Sequence, residues 1–158
     1  MIFLHIIWLK GTGLGLKAVL WYSSAMELNT FLSAGLRAEK TEQVTDRNTA
    51  KSWGSGELPV YATPAMIALM EGAAVAAVQD KLPPGISTVG TELQIKHLAA
   101  SPLGIEVRAW AELIEVDGRR LRFKVEAADA AGKIGEGVHE RFVIENERFL
   151  KKTSEKKQ

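Results

Sequence analysis

Thr63-Pro64-Ala65-Met66-Ile67-Ala68-Leu69-Met70-Glu71-Gly72-Ala73-Ala74-Val75-Ala76-Ala77-Val78 is the stretch on which the fold turns. Thr63 suits a helix N-cap and Pro64 the first helical position, where a missing N–H costs nothing. From Ala65 to Val78 every residue except Glu71 is apolar or glycine. Asp80 and Lys81 finish the helix, and Pro83-Pro84-Gly85 stops it. A helix apolar on all sides has to be buried on all sides. One sheet covers one side only, so the pattern asks for a second subunit.

Downstream the apolar period changes from helical to two. Ser87–Leu98, Gly104–Val116, Arg119–Ala130 and Lys133–Phe149 read as half-buried antiparallel strands. Val116-Asp117-Gly118-Arg119 and Ala130-Ala131-Gly132-Lys133 read as hairpin turns. Upstream, Ser52 to Gly56 is a loop, and the loose alternation of Glu42 to Thr49 predicts a first strand. The class is α+β: one long helix against a curved antiparallel sheet. The domain is expected over residues 26–150, with residues 151–158 a charged disordered tail. Residues 1–25 stand apart. They are apolar but broken by Lys10, Lys17 and three glycines, which makes a poor spanning helix and a poor secretory signal. They read as a stretch upstream of a start at Met26, as a membrane-associating leader, or as a folded extension.

Composition excludes several kinds of chemistry. Twenty Lys and Arg against nineteen Asp and Glu give a net charge of +1, with no footprint for nucleic acid. The absence of cysteine removes thiolate nucleophiles, disulfides and Cys-ligated metals, and fits a reducing, cytoplasmic location. Three histidines are too few for a multi-histidine metal centre. Carboxylates, hydroxyls and one or two imidazoles remain.

Glu71 is the only ionisable group between Thr63 and Asp80. On a buried helix it must be paired, hydrogen-bonded or protonated, so it is either a structural carboxylate or a reactive one. Thr63 is an N-cap, or a hydroxyl held at a positive helix terminus. His97 ends a strand, as a satisfied edge residue or as a general acid–base. Period-two alternation puts His139 and Arg141 on one face, with Arg141 a cross-strand ion pair or an anion clamp. Gly90 interrupts a strand and marks a bulge or a close backbone approach.

Taken in order, several segments resemble the fluoroacetyl-CoA thioesterase-like family of hotdog-fold proteins. They are Tyr61-Ala62-Thr63-Pro64 through Glu71, Val89-Gly90-Thr91, His97-Leu98-Ala99-Ala100-Ser101-Pro102, Glu115-Val116-Asp117-Gly118-Arg119, and Gly135 through Arg141. The match runs unbroken over about residues 45–150. It implies a hotdog fold, a homodimer with active sites at the subunit interface, and hydrolysis of an acyl-CoA thioester without metal or redox cofactor. By the resemblance the catalytic residues fall on Thr63, Glu71 and His97, and the acyl-CoA contacts on Gly90 and Arg141. One departure matters: the fluoroacetyl-specific enzyme carries gating phenylalanines before its threonine, where this chain has Gly54 and Glu57. Little selectivity for the fluorinated substrate is therefore expected. The competing reading is a non-catalytic acyl-CoA or acyl-carrier binding protein on the same fold. A hydratase is a third reading, but no hydratase motif is evident.

Because the matched segments all lie after Met26, removal of residues 1–25 is expected to leave a soluble protein with full activity. Gel filtration and a thioesterase assay on the truncated chain check this.

Overall fold

Alternation along two strands builds one face of the core. Val107, Ala109, Ala111 and Leu113 are buried, as are Leu121, Phe123, Val125 and Ala127, while the residues between them, apart from Trp110, carry charges. A computed structural model describes residues 31–157. It contains strands β1 (Arg37–Gln43), β2 (Ile86–His97), β3 (Glu106–Asp117), β4 (Arg120–Asp129) and β5 (Gly132–Glu145). Helix α1 spans Thr63–Val78 and helix α2 spans Asn146–Ser154. The strands form one antiparallel sheet in the order β1-β3-β4-β5-β2. Gly118 and Gly132, with φ of 57° and 137°, take the positive-φ positions of the two hairpins.

Helix α1 packs chiefly over β1 and β3. It buries Ala65, Met66, Met70, Ala73, Ala74, Ala77 and Val78, a stripe at helical spacing in which small alanines let the axis approach the sheet. The expected all-round burial is not reached within one chain. Ala68 is exposed, and Ile67, Leu69, Glu71 and Val75 are half-buried, because the sheet lies on one side only. This off-centre seat leaves the inner faces of β5 and β2 less covered than those of β1 and β3.

Two expectations are corrected. The first strand is Arg37–Gln43 instead of Glu42–Thr49: Thr45 and Asn48 cap each other around a 3-10 turn that ends strand pairing. The last strand stops at Glu145, where the Asn146 amide donates to the Gly85 carbonyl at 3.0 Å and α2 begins. Helix α2 runs on to Ser154 and is followed by a 3-10 turn at Glu155–Lys157, with none of these residues buried. The readings of residues 1–25 lie outside the described residues. No helix among the described residues is long and apolar enough to cross a membrane.

Two glycines on β5 set how closely the helix meets the sheet and how closely β5 meets β2. A Cβ on Gly135 would come within 2.5 Å of Met66 Sδ, a flexible side chain. A Cβ on Gly137 would lie 2.1 Å from the Gln94 carbonyl oxygen and 2.9 Å from Ile95 Cα, both backbone atoms of β2. Gly137→Ala is therefore expected to cost about 3 kcal/mol and Gly135→Ala only about 1–2 kcal/mol, within the range for overpacked cores. Denaturant titration of the two variants checks the ranking.

Candidate active site

Thr63 does not cap α1. Ala62 holds the N-cap position without a side-chain bond, Thr63 is the first helical residue, and Pro64 follows. The Thr63 hydroxyl is thereby free of the backbone and lies 2.7 Å from His97 Nδ1. The segment entering the helix is fixed from several sides. The Tyr61 amide donates to the Ser101 carbonyl at 2.8 Å and the Ala62 amide to the Asn48 carbonyl at 2.9 Å. The buried Tyr61 hydroxyl donates to the Glu42 carboxylate. Burial, reinforced by that carboxylate, pushes the phenol far above its ordinary range, so it stays protonated and keeps donating.

His97 ends β2, opposite Gly135, and the next amide, of Leu98, donates to the Ile134 carbonyl at 2.7 Å. Its Nε2 is buried without a hydrogen-bond partner among the described residues. In the tautomer with a bare Nδ1, His97 accepts the Thr63 proton. That is the relation of a general base to a hydroxyl, or to a water the hydroxyl holds.

A second cluster lies farther along the same helix. Arg141 is 6% exposed, yet three of its nitrogens are anchored. Nε donates to Thr88 Oγ1 and Nη2 to the Thr88 carbonyl, both at 2.8 Å. Nη1 lies 3.0 Å from His139 Nε2 and 3.5 Å from Glu71 Oε1. Burial pulls the guanidinium below its ordinary range and Glu71 opposes the shift; it remains a cation. Gly90 faces this cluster, and a Cβ there would sit 2.7 Å from Glu71 Oε1. The register of β2 against β5 slips between Gly90 and Glu92, so Gly90 marks both a bulge and a close approach.

The expected site residues thus fall into two groups within one chain. Thr63 and His97 form one; Glu71, Gly90 and Arg141 form the other. Eight residues separate Thr63 from Glu71 on α1, about 12 Å at the helical rise. Glu71 is not the deeply buried carboxylate the apolar helix suggested, since its side chain is 36% exposed. Arg141 pairs with the helix and not across the sheet. Gly54 and Glu57 are exposed in the loop before Tyr61, with no apolar bulk of their own. Among the described residues no group of His, Asp or Glu could hold a metal ion. Sequence reasoning missed Thr88 as the anchor of Arg141. Its only signal is that it alternates with Gly90 on one face of β2.

His139 is fully buried, and its ring is held below the ordinary 6.5. Burial is the main cause and the Arg141 cation adds to it, against the Glu92 carbonyl and Glu71. A histidine depressed in this way binds fewer protons folded than unfolded. Its contribution to stability is complete above the unfolded value and is lost as pH falls below it. The melting temperature is therefore expected to decline on acidification below about pH 6.5, and His139→Gln should flatten that part of the curve. Thermal melts across pH check both.

The profile of the fluoroacetyl-CoA-specific thioesterase family matches residues 44–147. Fluoroacetyl-CoA thioesterase of Streptantibioticus cattleyicolor is 45% identical over 97 residues, spanning 61% of this chain and 70% of that protein. A solved structure of the fluoroacetyl-CoA thioesterase FlK superposes with a TM-score of 0.75 at 38% identity, covering 79% of this chain and 97% of that one. A hot-dog-like protein from Thermanaerovibrio acidaminovorans superposes with a TM-score of 0.76 at 26% identity, covering 83% and 97%. On these matches, and on a five-stranded antiparallel sheet packed against one long helix, the chain belongs to the fluoroacetyl-CoA-specific thioesterase family of hotdog-fold proteins.

Proposed function

We propose that this chain hydrolyses small acyl-CoA thioesters, without strict selectivity for fluoroacetyl-CoA, at sites completed by a second copy. The observation that carries the reading is the Thr63–His97 contact at 2.7 Å, a hydroxyl with its proton acceptor in place at a helix N-terminus. The first-turn amides there have no intrahelical acceptors, and Pro64 contributes none. They are the donors for an oxyanion developing on the thioester carbonyl. His97 takes the proton of the attacking oxygen and returns it to the departing CoA sulfur.

Glu71 lies too far along α1 to act on its own chain's Thr63, and this supports assembly from two copies. The half-covered side of α1 carries Ile67, Ala68, Glu71 and Val75, and β2 is an edge strand with one neighbour, β5. An unpaired edge beside an uncovered apolar helix face is the surface a second copy would cover. Glu71, Gly90 and Arg141 of one copy would then face Thr63 and His97 of the other. The absence of cysteine supports a reducing, cytoplasmic setting.

The selectivity rests on Gly54 and Glu57. A single fluorine changes size little, and discrimination of near-isosteres by an apolar pocket alone reaches about 10–200-fold. The experiment is release of CoA thiol from fluoroacetyl-, acetyl-, propionyl- and butyryl-CoA. Comparable kcat/KM across the four is expected, with His97→Ala lowering kcat by about 10²-fold or more and Glu71→Gln also crippling turnover. A preference for fluoroacetyl-CoA beyond about 10³-fold would overturn the selectivity. Binding without turnover on every substrate would favour the non-catalytic reading.

A further inference from the structure

His139 is a buried imidazole that the hydrolytic scheme does not use, and its surroundings dictate its chemical state. Nδ1 lies 2.8 Å from the Glu92 carbonyl oxygen, just past the register slip in β2. A carbonyl only accepts, so Nδ1 carries the proton. Nε2 lies 3.0 Å from Arg141 Nη1, and a guanidinium only donates, so Nε2 is bare. Both neighbours require the same neutral tautomer. Arg141 has Nε and Nη2 committed to Thr88, which sets the plane of the guanidinium and leaves the Nη1 hydrogens as the ones still in need of acceptors.

We propose that His139 is a positioning residue that, as a neutral acceptor of an Nη1 hydrogen, holds the Arg141 guanidinium back from Glu71 and keeps the Arg141–Glu71 pair open at 3.5 Å. An apolar residue here would leave an Nη1 proton without an acceptor, and the guanidinium would close onto Glu71. A carboxylate would draw the guanidinium away and set a second negative charge beside Glu71. Imidazole supplies an acceptor without charge. An open pair leaves both the cation and the carboxylate available to a ligand, so the functional part of the inference rests on the reading of Glu71 and Arg141 as site residues.

Protonation of His139 would reverse the arrangement. It would set a second cation 3.0 Å from Arg141 and present a donor to Glu71 Oε1, 3.5 Å from Nε2. The groups facing the ring are few. Helix α1 brings Glu71, β5 brings Arg141, and β2 brings the Glu92 carbonyl, while Glu92's own carboxylate is taken by Gln94. Strand β4 brings only the Phe123 ring, its centroid 6.4 Å away.

Nitrogen-15 NMR of the full chain's histidines reads the state directly, whether or not the protein turns over. The expected result is an Nδ1-protonated neutral ring at pH 7, titrating below free histidine. Its titration should shift further down in Glu71→Gln and up in Arg141→Gln. An Nε2–H tautomer, a ring charged at pH 7, or no response to either substitution would overturn the proposal. In the acyl-CoA assay, His139→Leu should lower kcat/KM by roughly 10- to 100-fold, the kinetic equivalent of one hydrogen bond to a charged group. His139→Gln, whose amide oxygen can accept from Arg141, should recover most of that loss. A folded Leu variant with unchanged kcat/KM, or a Gln variant no better than Leu, would also overturn it. The expected NMR result on a chain that hydrolyses no acyl-CoA would sink the hydrolytic reading and leave the wiring of His139 standing.

Discussion

An apolar helix seated over only part of its sheet is the constraint from which the rest of this structure follows. With α1 lying chiefly over β1 and β3, its buried stripe is met by the small and branched residues of those strands. The inner faces of β5 and β2 cannot be filled in the same way. They hold polar groups instead: His139 and Arg141 on β5, Thr88 and His97 on β2. Polar groups at a half-covered edge of a core survive only if each finds a partner, because a buried unpaired charge costs several kcal/mol, on the order of 3–5. Thr88, the Glu92 carbonyl and Glu71 supply partners for His139 and Arg141, and Thr63 supplies one for His97 at Nδ1, while His97 Nε2 has none among the described residues. The polar cluster is therefore a consequence of where the helix sits, and glycine at 90 and 135 is what lets the helix side chains meet the sheet so closely there.

The same seat separates the chemistry of the helix into two stations. At its N-terminus a threonine that does not cap is free to bond His97; two turns on, a glutamate meets a guanidinium. Each station is incomplete as a catalyst. A hydroxyl and an imidazole lack a carboxylate within reach, and a carboxylate with a cation lacks a nucleophile. On the proposed function, a chain folded alone in this way presents half-sites, with the uncovered helix face and the β2 edge beside both.

Much of the fold could be read in the residues. Proline at 64, the apolar run to Val78 and the Pro83-Pro84-Gly85 stop define the helix through local rules, and Asp117-Gly118 places a hairpin by backbone sterics. The first strand was misread because β1 carries Arg37, Glu39, Lys40 and Glu42, an exposed edge with little apolar alternation. The candidate site was legible only as residue types and order. Thr63 looked like a cap because local propensity favours one. That its hydroxyl turns to His97, 34 residues away, depends on how β2 crosses the helix terminus. The Arg141–Glu71 contact spans 70 residues of sequence and the Arg141–Thr88 contact 53, distances at which no periodicity carries information.

The geometry also bears on how charge is divided in the pocket. Arg141 is held by neutral acceptors on three of its approaches, the Thr88 hydroxyl, the Thr88 carbonyl and His139 Nε2, and by a carboxylate on only one. Neutral acceptors fix a guanidinium without cancelling its charge. At a partly exposed position a fully closed ion pair would offer little field to a ligand and gain little stability. A cation held mostly by dipoles keeps its charge uncancelled, and the absence of a side chain at Gly90 is what lets the cluster close around it, since a Cβ there would sit 2.7 Å from Glu71 Oε1 and 3.1 Å from the His139 ring.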